Sequence, residues 1–341
     1  MSKLIEDFAT MSGLRNREVL DVSLAQFVSE LIQPQYVAIY RSVGEGDQAR
    51  WLTGATLTQG RDQGHVDLAA VDFDGLPLLA AMPEHERCLR TGVHIELQTA
   101  IYTSLYPLSA GQEVVGVIEV ITDKPLTADQ RRVLVSMSRF YRNLSGLLEE
   151  NESDALTGLL NRKTFDEAFA RTAHQRTPEA QPSDNRRAQD ADLSGWLAVI
   201  DIDHFKRVND NFGHLIGDEV LLLLSRLMRE TFRFNDLIYR FGGEEFVVLM
   251  RSASEADAVG AFERLRTEVE RFAFPQIGSI TVSTGFTRVC EDDTPTDAFD
   301  RADQAVYWVK QHGRNQVKSH DQLVSKGHLG EVSAKAEIDF F

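Results

Sequence analysis

Cysteine is nearly absent: the 341-residue chain has two, Cys88 and Cys290. They lie far apart and match no metal-ligand spacing, which argues against a disulfide scaffold and a structural zinc site. Long hydrophobic runs are missing as well. No apolar stretch approaches membrane-spanning length, and Met1 to Phe8 shows no basic stretch followed by an apolar core. A cytoplasmic chain with no membrane partner is therefore expected. Basic residues are scarce, 36 Lys and Arg against 52 Asp and Glu, for a net charge of −16. Polymeric nucleic acid, whose phosphates need a basic surface, is an unsuitable partner. What is present is apolar material, 43% of residues, ample for cores in two or three domains.

A helix divides the chain. From Leu126 onward, Val133, Met137, Phe140, Leu144 and Leu147 recur at spacings of four and three, the seam of a coiled coil, and Asn151 continues it as a polar core position that would fix register. The same pattern suits an amphipathic helix packed on its own domain. Upstream, Val19 to Ile32 reads as a helix, and Tyr36 to Arg41 and Glu113 to Ile121 read as strands. Between a helix ending near Ala173 and a strand beginning near Trp196, residues 174–195 are polar, proline-containing and aperiodic, as in a long flexible loop. From Lys318 the tail is mixed and polar, and loose order is expected.

The most informative stretch is Gly242-Gly243-Glu244-Glu245, set between Arg240-Phe241 and the apolar run Phe246 to Met250. Two glycines between strand-like runs predict a tight hairpin turn, because glycine takes positive φ without steric cost. Two carboxylates then sit at its tip. Leu197 to Ile202 reads as a buried strand that ends in Asp201 and Asp203, at the end of a sheet where ligands usually bind. Carboxylates converging without Cys or His partners suit a hard, oxygen-loving ion, magnesium or manganese.

Together these residues resemble the GGDEF family of diguanylate cyclases, from about Asp154 to Val317. Asp154 through Asn161-Arg162 is similar to the family's opening motif, Asp201 through Lys206 and Asn209 to its metal and phosphate segment, Asn211 through His214 and Asp218 to its guanine-reading stretch. Ala302-Asp303 through Lys310 to Gly313-Arg314-Asn315 resembles its closing helix. The resemblance implies an α/β (α+β) domain like the nucleotidyl cyclase and polymerase palm folds. Two GTP would be condensed to cyclic di-GMP and two pyrophosphates, with two Mg2+ or Mn2+ per site. Residues 1–125, with Tyr106-Pro107-Leu108 ahead of Val114 to Ile118, resemble a GAF sensory domain, the alternative being another small-molecule sensor such as PAS. The expected organisation is thus a GAF-like domain (1–125), a signalling helix (126–153), a GGDEF domain (154–318) and a tail (319–341).

The same resemblance assigns roles. Asp201, the Ile202 carbonyl, Glu244 and Glu245 would hold metal, and Glu244 would also take the proton of the attacking 3′-hydroxyl. His204, Phe205 and Lys206, with Lys310 and Arg314 one helical turn apart, would contact substrate, the cations binding phosphate. Trp308 and Val309 depart from the small residue typical there. Asp218 with Asn209 would accept guanine N1–H and N2–H2, and His214 would add a contact. As residues alone, Asn209 could cap a helix and Asp218 could begin the Val220 to Leu224 run. Arg233 and Asp236, with Arg264, match the family's product-inhibition site, since Arg can donate to guanine O6 and N7. A two-fold product implies a homodimer. The alternative is a catalytically inactive GGDEF-like receptor for GTP or cyclic di-GMP. His65, Cys88 and His94 could line a sensor pocket, whose ligand is unknown.

Overall fold

The computed structural model describes residues 17–44, 46–58, 75–174, 194–233 and 235–330. His65, residues 175–193 of the expected loop and the tail from 331 lie outside the described residues. The chain divides into two units, Met1–Asn151 and Glu152–Phe341. No helix among the described residues is long and apolar enough to cross a membrane.

The first unit runs α1 (Arg17–Ile32), β1 (Tyr36–Val43), β2 (Arg50–Thr58), α2 (Pro83–Thr91), β3 (Ile95–Gln98), β4 (Tyr102–Ala110), β5 (Glu113–Thr122) and α3 (Ala128–Glu152). Its strands pair antiparallel in the order β2-β1-β5-β4-β3. Strand alternation sorts the side chains into two layers. Ile39, Tyr106, Ile118 and Val120 pack with Leu20, Leu24 and Val28 of α1 and with Leu134 and Tyr141 of α3. Trp51, Leu105 and Val117 face the other way, onto Cys88 of α2. Burial pushes the Cys88 thiol up to about 12, so this cysteine is a core residue and not a reactive one. Within the first layer a buried Asp21 of α1 ties that helix to the sheet and to α3, 2.5 Å from Arg41 Nε on β1 and accepting from Tyr141 Oη on α3 at 2.8 Å.

The seam expected on α3 is largely spent on this core. Met137 and Leu144 are buried beside Leu134, Tyr141 and Leu148, Val133 and Phe140 pack partly against the same cluster, and Leu147 alone among the seam leucines stays outside, 57% exposed. A helix lying on a sheet needs an apolar face wider than a two-residue stripe, and the seam positions supply part of it.

The second unit begins with the two-residue strand β6 (Leu160–Asn161) and α4 (Phe165–His174). Then come β7 (Ser194–Ile202), α5 (Phe205–Phe212), α6 (His214–Thr231), the hairpin β8 (Leu237–Gly242) and β9 (Glu245–Ser252), α7 (Glu255–Arg271), β10 (Val282–Arg288), α8 (Pro295–Gln311), β11 (Val317–Ser319) and α9 (His320–Ser325). The sheet order is β11-β10-β7-β9-β8-β6. The outer pairs β10–β11 and β6–β8 are parallel, and the centre is antiparallel. β7 is covered on both faces, which is why it reads as a continuous apolar run. Ala198 and Ile200 meet α5, α6 and α7 through Phe205, Leu224 and Phe262, while Leu197 and Val199 meet α4 and α8 through Phe169, Ala302 and Val306.

The start of the expected loose tail is ordered. β11 extends the sheet through Ser319, whose Oγ accepts from Gln322 N, and α9 buries His320 and Leu323. The polar composition misleads because a nine-residue segment needs few apolar anchors when it docks on an existing sheet edge.

Candidate active site

The hairpin turn is built by backbone conformation. Gly242 and Gly243 have φ of 153° and 50°, while a Cβ on either would meet open space, so the requirement for glycine here is conformational and not steric. Arg240 pairs with Phe246 and Gly242 with Glu245, leaving Phe241 bulged out of register. Bulges commonly re-aim side chains beside active sites. Here Phe241 stacks on Phe299 of α8 at 5.3 Å, which pins the hairpin to that helix.

Asp201 and Glu245 face each other across β7 and β9, and their parity with Val199 and Val247 places both on the α8 side of the sheet. Lys310 of α8 reaches Asp201 Oδ2 at 2.7 Å. Asp201 is 4% exposed, and burial pushes its carboxyl up to about 6, with Glu244 and Glu245 adding to the shift and Lys310 opposing it. Burial also raises Glu244, with Glu245 adding and Lys310 again opposing. One lysine thus serves several carboxylates, and the patch is short of positive charge.

That deficit fits a divalent ion. Among the described residues, no three His, Cys, Asp or Glu side chains stand ready to hold one. Magnesium needs fewer: it commonly takes one or two carboxylates and completes its shell with water and substrate phosphates. Asp201 and the Ile202 carbonyl at the end of β7, with a carboxylate from the facing Glu244–Glu245 turn, would offer an all-oxygen donor set of that size.

Asp203, expected to offer a carboxylate at the strand end, is instead consumed by the fold. It accepts from Thr281 Oγ1 and Ser283 Oγ at 2.6 Å each and from the Asn315 amide at 3.1 Å. Three donors on one buried carboxylate make it a clamp between the β7 end and the segment after α8.

The arrangement of Lys310 and Arg314 on one helical face is also overturned. α8 ends at Gln311, and Gly313, Arg314 and Asn315 have φ of 107°, 61° and 48°, so Arg314 leaves the helix in a left-handed run. The Arg314 amide closes the helix by donating to Val309 O at 3.0 Å. Trp308, one of the two departures from the family pattern, stacks on His312 at 3.9 Å, and Val309 is buried in the core, so neither residue intrudes on Lys310's ion pair.

The remaining positions fall into two groups. At the α5–α6 corner, His204 has φ of 60° and an exposed side chain, Lys206 is exposed on the first turn of α5, and the Phe205 ring is buried in the core, leaving its backbone amide as the group able to meet a ligand. Asn209 lies against Gly217, where any Cβ would collide with its Oδ1. His214 and Asp218, four apart and exposed, share a face of α6. Neither capping alternative holds: Gly213 occupies the N-cap of α6 and His204 that of α5. Separately, Arg233 and Asp236 close a turn, with the Arg233 amide donating to Asp236 Oδ2 at 2.8 Å and the Asp236 amide to Arg233 O at 3.0 Å. Burial pushes Asp236 up to about 6 against the pull of Arg233 and Arg264, so these three residues are brought together.

Sequence reasoning missed Arg240. Its guanidinium donates to Gly243 O at 2.9 and 3.2 Å and to Asp154 Oδ1 at 2.9 Å, joining the opening motif to the glycine turn. Thr157 donates to the same Asp154 oxygen through its amide and its hydroxyl, at 2.9 and 2.7 Å. The signal was an arginine directly ahead of Phe241-Gly242-Gly243.

A family model described as diguanylate cyclase, GGDEF domain, matches residues 151–316. The response regulator PleD of Caulobacter vibrioides is 32% identical over 332 residues, covering 91% of this chain and 67% of that protein. The chain belongs to the GGDEF diguanylate cyclase family. Diguanylate cyclase DgcP of Pseudomonas aeruginosa is 34% identical over 267 residues, 77% of this chain and 34% of that protein. This GGDEF chain therefore spans from about a third to two thirds of the length of these curated relatives. Among solved structures, the coiled coil and GGDEF domain of DgcB from Caulobacter crescentus, in complex with c-di-GMP, is 28% identical, covers 56% of this chain and 97% of that one, and has a TM-score of 0.46.

Proposed function

We propose that this chain is a diguanylate cyclase that condenses two GTP into cyclic di-GMP with release of two pyrophosphates. The observation that carries the reading is the carboxylate patch of Asp201, Glu244 and Glu245, short of positive charge and answered by the single Lys310. Bound divalent ions would neutralise triphosphate charge and stabilise the attacking and leaving oxygens. Glu244 accepts the proton of the 3′-hydroxyl as that oxygen bonds to the α-phosphorus of the second nucleotide and the bond to pyrophosphate breaks. Lys206, Lys310, Arg314 and the amides following His204 hold the phosphates. Asp218 and Asn209 accept from guanine N1–H and N2–H2, which adenine cannot present together, and His214 adds a contact.

Each catalytic unit binds one GTP, so two must face each other and the working enzyme is a homodimer. Arg233, Asp236 and Arg264 form the site at which cyclic di-GMP inhibits its own synthesis. The first unit is a GAF-like sensor in a cytoplasmic protein. Its antiparallel sheet with α1 and α3 on one face and α2 on the other supports that reading. α3 carries its signal, pairing in a coiled coil at its C-terminal end.

Purified protein incubated with GTP and magnesium, followed by mass spectrometry of the products, tests the proposal. Cyclic di-GMP and pyrophosphate are expected. GTP or cyclic di-GMP binding without turnover would instead mark an inactive receptor.

A further inference from the structure

The first unit holds a cleft of about 410 Å3, lined by His94 and Tyr106 and, on α3, by Arg131, Arg132, Val135 and Arg139. That volume lies in the range of small-molecule sites, roughly 300–1,000 Å3. Arginines along an exposed helix ordinarily form a solvated face. Two observations set these apart.

One is Tyr106, which is 2% exposed and whose hydroxyl has no hydrogen-bond partner among the described residues. Buried hydroxyls are nearly always paired, and an orphan at the wall of a cleft calls for an acceptor from outside the chain. Burial, then the Glu96 carboxylate, raise this hydroxyl while Arg131 opposes them, so it lies beside the Arg131–Glu96 ion pair.

The other is the charge count. Arg131 is matched by Glu96 at 2.6 and 2.9 Å, and Arg132 by Asp129 at 3.3 Å. Arg139 makes no ion pair among the described residues. A positive excess therefore remains, in a chain whose net charge is −16. The His94 ring stacks on Tyr106 at 5.4 Å and 12°, and Val135 is 37% exposed, so the same cleft offers flat and apolar surface.

We propose that this cleft binds a small organic anion, whose carboxylate or phosphate oxygen accepts from Tyr106 and pairs with Arg139 while its body packs on His94 and Val135. Calorimetric titration of the full chain with phenyl phosphate, benzoate and neutral benzamide tests it, with no GTP in the measurement. At least one anion should bind with Kd below about 1 mM, and benzamide about tenfold more weakly. The tighter of the two anions identifies the oxyanion class. Arg139→Gln and Tyr106→Phe should each weaken the anion by roughly five- to tenfold. Tyr106→Phe removes only the orphan hydroxyl, so its melting temperature should equal or exceed that of the parent chain, separating lost binding from lost folding. Failure of both anions to bind, equal binding of benzamide, or parental affinity in both variants overturns the proposal.

Discussion

Glu244 is half-buried in a turn that makes few packing demands, so Glu244→Gln should leave the melting temperature within about 1 °C of the parent while cyclic di-GMP synthesis falls at least about 100-fold; near-parental turnover would end its assignment as base and ligand. Asp201 behaves oppositely, because it is buried and its folded pKa, about 6, stands above the ordinary 3.8. Folding then favours its protonated form, and this group's destabilisation of the metal-free chain grows as pH rises from about 4 through 6 and is complete above. Asp201→Asn should accordingly stabilise the metal-free protein at pH 7.5, by on the order of 2 kcal/mol, with a smaller gain at pH 5, and should abolish turnover. Thermal unfolding at the two pH values checks this, and a loss of stability at pH 7.5 would contradict it. Asp218 is exposed on α6 and caps nothing, so it is free to read a base. Asp218→Ser should lower the preference for GTP over ATP by about tenfold or more in direct competition, whereas unchanged selectivity would leave the residue without a recognition role.

At the scale of elements, the glycine hairpin is held by the opening motif through Arg240. The Arg240 side chain is 12% exposed and that of Asp154 is 24% exposed, so the pair is partly shielded from solvent and links the β8–β9 turn to the segment just after α3. Arg240→Ala should cost roughly 1–3 kcal/mol of stability and lower kcat more than it raises KM, because the turn would stay present but ill-positioned. Stability and kinetics measured on one preparation check this, and parental kinetics would reduce the link to packing. These elements also explain what was legible in the sequence. β1, β5, β7 and the glycine hairpin could be read because period, burial and turn chemistry agree within each short segment. The spatial partners of Asp203 could not, since Thr281, Ser283 and Asn315 come from distant segments and polar residues there carry no periodic signal. Arg314 misled for a related reason: helical spacing from Lys310 presumes that the helix continues, and Gly313 ends it. On α3, one set of apolar residues satisfies both a seam and a sheet-facing surface, and periodicity cannot choose between them.

For the whole molecule the decisive question is how two half-sites meet. On the proposed activity, a product with two-fold symmetry requires two catalytic units, so turnover per protomer should rise with protein concentration until the dimer is saturated. α3 has spent most of its apolar positions on the first unit's core, but Leu147 is 57% exposed and Asn151 is exposed one turn later, with its Nδ2 donating to Leu147 O at 2.9 Å. An exposed leucine near the end of a helix that runs unbroken to Glu152 suits self-association in parallel register, with Asn151 facing its own copy. Leu147→Glu places like charges opposite each other across such a pair and should shift the monomer–dimer equilibrium by about tenfold or more toward monomer. Turnover per protomer should fall in proportion at low concentration and recover as concentration rises. Sedimentation equilibrium and GTP turnover measured over the same dilution series distinguish the cases. Parental association with parental turnover would mean that α3 is only the lid of its own domain, and the dimer contact would then have to be sought on the catalytic unit itself.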